Sequence, residues 1–139
     1  MDPDVLYRFT KELPAGDVRA LYLEAGWITP ETDVSFLAPM LKNSFAVCAA
    51  FDGPRLVGLM RALSDGVSDA YMLDLVILRE YRRRGIGKAL VRKLSGHLQQ
   101  CGIDWIVCVG VPGTESFYRA AGAVPMDGHT PFRFGGNKS

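Results

Sequence analysis

The sequence predicts a single α/β domain, and three observations predict it. Apolar runs of strand length alternate with stretches of helical periodicity along all 139 residues. Two of those runs flank Asp52-Gly53-Pro54-Arg55, a tight hairpin turn. A third, Met72-Leu73-Asp74-Leu75-Val76-Ile77-Leu78, passes through a basic, glycine-containing bend into an amphipathic helix. At 48% hydrophobic residues, a chain of this length fills one core and has no material for a second. One domain over 1–139 is therefore expected.

The elements follow in order. Val5 to Thr10 is a first strand. Pro14 to Ala25 is a helix with Val18, Leu21, Tyr22 and Ala25 on one face, ended by Gly26. Pro30 suits the first turn of a second helix, which Pro39 shortens or kinks. Phe45 to Phe51 and Leu56 to Leu63 form the hairpin, and Asp65-Gly66 turns the chain into the strand that ends near Leu78. From about Gly85 to Gln100, Leu90, Val91, Leu94 and Leu98 recur at helical spacing until Gly102. Ile103 to Val111 is a further strand, Thr114 to Ala121 a short helix stopped by Gly122, and Phe132-Arg133-Phe134 a last edge strand.

Charge and cysteine content narrow the partners. Sixteen basic and fifteen acidic side chains leave a net charge of +1, so no global field points to nucleic acid or to an anionic membrane. No apolar run approaches membrane-spanning length, and the sequence opens without a charged-then-apolar leader; a cytoplasmic location is the expectation. Cys48, Cys101 and Cys108 lack metal-ligand spacing and read as reduced thiols, and no metal is expected.

Basic charge is instead local, in Arg79, Arg82, Arg83, Arg84, Lys88, Arg92 and Lys93. In Arg82-Arg83-Arg84-Gly85-Ile86-Gly87-Lys88 it coincides with a strand-to-helix bend. The first amides of the helix lack helical partners there, the glycines let a ligand approach the backbone, and the helix dipole is positive. Together these make a diphosphate site. A dinucleotide fingerprint would need a third glycine where Leu90 stands, and the Gly-Lys-Ser/Thr of a phosphate loop is absent.

The stretch Ile77 to Gly87 resembles the coenzyme A pyrophosphate loop of the GNAT superfamily of N-acetyltransferases, whose pattern is Gln or Arg, two residues, Gly, one residue, then Gly or Ala. Further on, Glu115-Ser116-Phe117-Tyr118-Arg119-Ala120-Ala121-Gly122-Ala123 is similar to the family's second signature, a helix carrying Phe-Tyr and closed by Gly. The order of elements matches over about residues 5 to 134. The chain departs from the pattern at Arg79 (often Pro), Arg83 (often Gly), Val111 (often Asn) and Ala123 (usually Phe).

The resemblance implies a mixed, mostly antiparallel sheet of six to seven strands with about four helices, splayed between the fourth and fifth strands. It implies acetyl-CoA as cosubstrate, with the backbone of Leu75, Val76 and Ile77 pairing with the pantetheine arm and the amides of Arg83 through Lys88 holding the pyrophosphate beside Arg82. An amine of a small molecule or protein would attack the thioester directly. An N–H near Ile77 would meet the oxyanion, and Tyr118 would protonate the leaving sulfur, although a core tyrosine with a satisfied hydroxyl is the reading without the resemblance. An acetyl-CoA sensor without turnover is the alternative function.

A lysine-like amine with a pKa of ~10.4 must lose a proton before it attacks. Asp74 is the candidate base; an acid within an apolar strand is also the kind of group that folds keep only when paired. By alternation Asp74 faces away from Leu73 and Leu75 unless a bulge shifts the register. Asp65, Asp69 and Glu31 are alternatives. An acceptor pocket is expected from the loop at Trp27 to Asp33 and from His129, Phe132 and Phe134. Its aromatics (Tyr22, Trp27, Phe36) and acids (Glu24, Glu31, Asp33) suit a cationic or aromatic amine. The final edge strand could join a second copy into a homodimer or stay solvated at Arg133.

Overall fold

The structure, a computed structural model, describes residues 3–136. Five strands, Val5–Phe9 (β1), Ala46–Asp52 (β2), Arg55–Ser64 (β3), Asp69–Ile77 (β4) and Trp105–Cys108 (β5), form one sheet in chain order. β1 to β4 are antiparallel, and β5 joins β4 in parallel. Among the described residues there are four α-helices: Ala15–Glu24 (α1), Leu37–Lys42 (α2), Ile86–Gln100 (α3) and Glu115–Ala120 (α4). The outermost residues of the expected 1–139 domain lie outside the described ones.

The hairpin turns at Gly53 with φ of +58°, in the first central position that a tight twisted turn reserves for glycine. α1 buries Val18, Leu21 and Tyr22. On the other face of the sheet α3 buries Ile86, Ala89, Leu90, Val91, Leu94 and Leu98, a stripe set by the helical period. Each such side chain withdraws about 1.5–3 kcal/mol worth of apolar surface from water, so α3 anchors the bend that precedes it. Where the two layers meet the sheet, β3 lets α3 come close at Gly58, whose absent Cβ would lie 3.4 Å from Leu90 Cδ1.

Three expectations need correction. The sheet has five strands, not six to seven. Phe132-Arg133-Phe134 joins no ladder, because Pro131 removes a donor just before it and the two phenylalanines find no apolar layer to cover. The strand expected over Ile103 to Val111 is four residues long, and the chain leaves β4 at Val109-Gly110. The second helix begins at Leu37 rather than near Pro30. Thr32 Oγ1 accepts from the Thr29 amide and Asp33 Oδ1 from the Ser35 amide, both at 2.9 Å, so side chains take donors that a helix would use. Pro39 then falls within its first turn. Among the described residues, no helix is long and apolar enough to cross a membrane.

Candidate active site

The site begins with a mismatch of strand lengths. β4 runs to Ile77, yet β5 pairs only with its first part, from Asp69↔Trp105 to Met72↔Cys108. Among the described residues no strand lies opposite Leu73 to Ile77, and a cleft of about 1010 Å³ opens in its place. Leu75, Val76 and Ile77 form one wall, Val111, Thr114, Phe117 and Tyr118 another, and Arg82 stands at one end.

The parting of the strands coincides with a bulge. On the other edge of β4, Arg61 pairs with Leu73 but Leu59 pairs with Val76, so β4 holds one extra residue there. Asp74 lies in that interval with φ of +58°, a left-handed conformation that Asp tolerates better than most residues. The bulge that alternation left open is therefore present.

Its side chain is pinned. Asp74 Oδ2 accepts from Arg61 Nε at 2.8 Å and from the Tyr22 hydroxyl at 2.8 Å, and Arg61 Nη1 reaches Ser44 Oγ at 3.3 Å. The Arg61 and Asp74 side chains are 10% and 4% exposed, so this ion pair sits in the interior. Burial, followed by the Asp74 charge, raises the Tyr22 pKa far above that of a free phenol and keeps the hydroxyl a donor. Arg61 and Tyr22 were missed as partners of Asp74. A signal existed, since one acid and one base interrupt two neighbouring apolar runs, and buried charges are kept in pairs.

The basic bend lies at the far end of β4. A short turn, Arg79–Tyr81, whose first amide donates to Glu24 Oε1 at 2.8 Å, leads into it. Arg82, Arg83, Arg84 and Gly85 are exposed, and Arg82 Nε donates to the Ile77 carbonyl at 3.1 Å. Arg83 takes φ of +63° and Gly85 +80°, and α3 starts at Ile86 with no side-chain cap. Its leading amides at Ile86, Gly87 and Lys88 thus have neither helical nor side-chain partners of the usual kind. Gly87 packs tightly: a Cβ would stand 3.2 Å from both Ile77 Cδ1 and Phe117 Cζ. Those features fit a diphosphate group, because the donors are main-chain and the surrounding charge is positive.

Tyr118 borders the cleft from α4, its ring edge-on to Phe117 at 5.0 Å. Burial first, then Cys108 and Tyr71, push its phenol up to about 12. The half-buried Cys108 thiol is itself raised by burial, which suppresses the thiolate that a nucleophilic cysteine needs. Tyr71, also in the cleft wall, was not singled out by sequence; only its place near the parting of the strands distinguishes it.

The expected acceptor residues divide. Trp27 and Phe132 line the cleft. Tyr22 is spent on Asp74, Glu24 on the Arg79 amide and Asp33 on the Ser35 amide. Glu31, Phe36, His129 and Phe134 are exposed away from the lining, as are Asp65 and Asp69. Asp65 accepts from the Val67 and Ser68 amides. No group of three or more possible metal ligands occurs among the described residues.

Comparison with known proteins gives a consistent result. The acetyltransferase (GNAT) family model matches residues 14–123. The histone acetyltransferase TAP1 of Glycine max is 33% identical over 117 residues, 76% of this chain and 50% of that protein. The uncharacterized N-acetyltransferase ycf52 of Porphyra purpurea is 30% identical over 125 residues, 87% of this chain and 71% of its own. The chain spans about half the length of the first two curated relatives it matches. Among solved structures, a GNAT family acetyltransferase from Streptococcus pneumoniae TIGR4 superposes with a TM-score of 0.76 at 25% identity, covering 95% of this chain and 98% of that one.

Proposed function

The chain belongs to the acetyltransferase (GNAT) family, and from that premise we propose that it moves an acetyl group from acetyl-CoA to a primary amine in one ternary complex. The observation that carries this reading is the bare edge of β4 over Leu73 to Ile77, which ends at the uncapped start of α3. A ligand with a diphosphate and an extended amide-bearing arm is complementary to both. The amides of Arg83 through Lys88 take the diphosphate beside Arg82, and the backbone of Leu75, Val76 and Ile77 takes the arm as a strand would.

Acetyl-CoA supplies an acyl group already activated as a thioester. The amine nitrogen forms its bond to the acyl carbon as the carbon–sulfur bond breaks, and a main-chain N–H near Ile77 donates to the oxygen on which charge collects. Tyr118 assists departure of the sulfur. With its phenol near 12 and a thiol near ~8.5, full proton transfer would be uphill by roughly 3–4 units, about 5 kcal/mol. Tyr118 therefore serves chiefly as a hydrogen-bond donor to the leaving sulfur, and solvent completes the protonation. A raised Cys108 thiol favours direct attack over an acyl-cysteine relay.

Asp74 takes a role different from that of a free base. With Oδ2 engaged by Arg61 and Tyr22, it holds the bulge and hence the line of the β4 edge, and the amine's proton leaves to cleft water. Calorimetric titration with acetyl-CoA, followed by thiol release against a panel of amines, tests the proposal. Binding with turnover is expected. Binding without turnover would leave a coenzyme sensor, and absence of binding would remove the proposal.

A further inference from the structure

The acceptor can be narrowed by what the rest of the cleft offers. Among the described residues, Asp74 is the one acidic side chain in its lining, and its Oδ2 already faces Arg61. The carboxylates that sequence placed near an acceptor are turned to main-chain amides or to solvent. Trp27, Tyr71 and Phe132 supply ring surface instead, and Arg133 supplies a positive charge. Arg133 is exposed and forms no ion pair among the described residues.

An ammonium entering such a site meets ring faces but no free carboxylate, and the Arg133 guanidinium in the same lining repels it; the like charge lowers its pKa and favours the neutral amine, which is the attacking form. Loss of the proton therefore comes from the surroundings rather than from a dedicated carboxylate. A second ammonium on the same acceptor gains nothing from this, and its repulsion by Arg133 is not offset by any free carboxylate in the lining.

Resting on the acetyltransferase reading above, we propose that the acceptor is an apolar or aromatic primary monoamine, and that Arg133 is a specificity-determining residue that turns away acceptors bearing a second positive charge.

The test compares thiol release from acetyl-CoA with 2-phenylethylamine, spermidine and a lysine-rich peptide, for the wild type and Arg133→Glu. Arg133 is exposed and forms no ion pair among the described residues, so the substitution leaves the core intact. The wild type is expected to favour 2-phenylethylamine over spermidine in kcat/KM by at least about tenfold, and Arg133→Glu to shrink that ratio by about fivefold or more. Taking the ratio cancels any change in acetyl-CoA binding. Preference for spermidine or the peptide, a ratio that Arg133→Glu does not move, or no acetylation of any of the three while acetyl-CoA still binds would overturn the proposal. Failure to bind acetyl-CoA, seen by calorimetry, would bring down the underlying reading as well.

Discussion

At the inner end of the cleft, a residue in a left-handed conformation is gripped by a buried guanidinium from β3 and a buried phenol from α1, and a Cβ at Gly87 would stand only 3.2 Å from Ile77 and Phe117. At the outer end, the chain beyond α4 runs past the sheet without joining it, and Phe132 and Phe134 are 80% and 102% exposed. One end holds main-chain groups in fixed directions; the other presents ring surfaces on a segment tied down by few bonds. The contrast matches the two tasks proposed for them. A cosubstrate that is always the same can be met by a rigid backbone edge, whereas acceptor choice rests on side chains that can change without disturbing the core.

Substitutions can break this contrast at either end. The largest effect is expected at the inner end from Arg61→Met, which strands the Asp74 carboxylate in the interior. Loss of about 3–5 kcal/mol of unfolding free energy is expected in urea titrations, and a loss under 1 kcal/mol would show that the pair does not hold the bulge. Next comes Tyr118→Phe, which keeps the ring packing and removes the donor. A fall in kcat of roughly 10–100-fold with acetyl-CoA affinity unchanged is expected, and unaltered kcat would take Tyr118 out of the reaction. Arg83→Gly should relieve a positive φ and raise stability by about 1 kcal/mol, measured by thermal melting, while weakening acetyl-CoA binding slightly through the lost charge.

The smallest effect concerns pH. The Tyr22, Tyr71 and Tyr118 phenols are all raised in the folded protein above the ordinary value of 10, chiefly by burial. The unfolded chain therefore gives up these protons first. Their contribution to stability is complete below pH 10 and drains away as pH climbs through the folded values. The Cys48 and Cys108 thiols are raised in the same way, by burial, from a lower ordinary value of 9. A melting temperature that is flat near neutral pH, begins to fall through the thiol range and drops more steeply above 10 is expected. A steady decline that starts below pH 7 would point to other groups.

Much of the inner end could be read from residues alone. The apolar run before Leu78, the glycines at 85 and 87 and the helical recurrence of Leu90, Val91, Leu94 and Leu98 identify strand, bend and helix, because burial and main-chain geometry act locally there. The outer end was less legible. Phe132-Arg133-Phe134 alternates as a strand should, but alternation reports only which faces two residues share, and among the described residues no strand lies beside it to complete a ladder. The early start expected for α2 failed because Thr32 and Asp33 compete for amides in a way that depends on individual rotamers. The partners of Asp74 come from positions 61 and 22, and contacts over such separations follow from how the layers stack rather than from local pattern.

The extra residue in β4 has a consequence for how this fold tolerates change in chain length. Excision of Asp74 would bring the β4 ladder with β3 into continuous register, but it would leave the Arg61 guanidinium in the interior without its carboxylate. The irregularity that looks like a fault in the weave is thus stitched to a buried charge, and neither can be removed without the other.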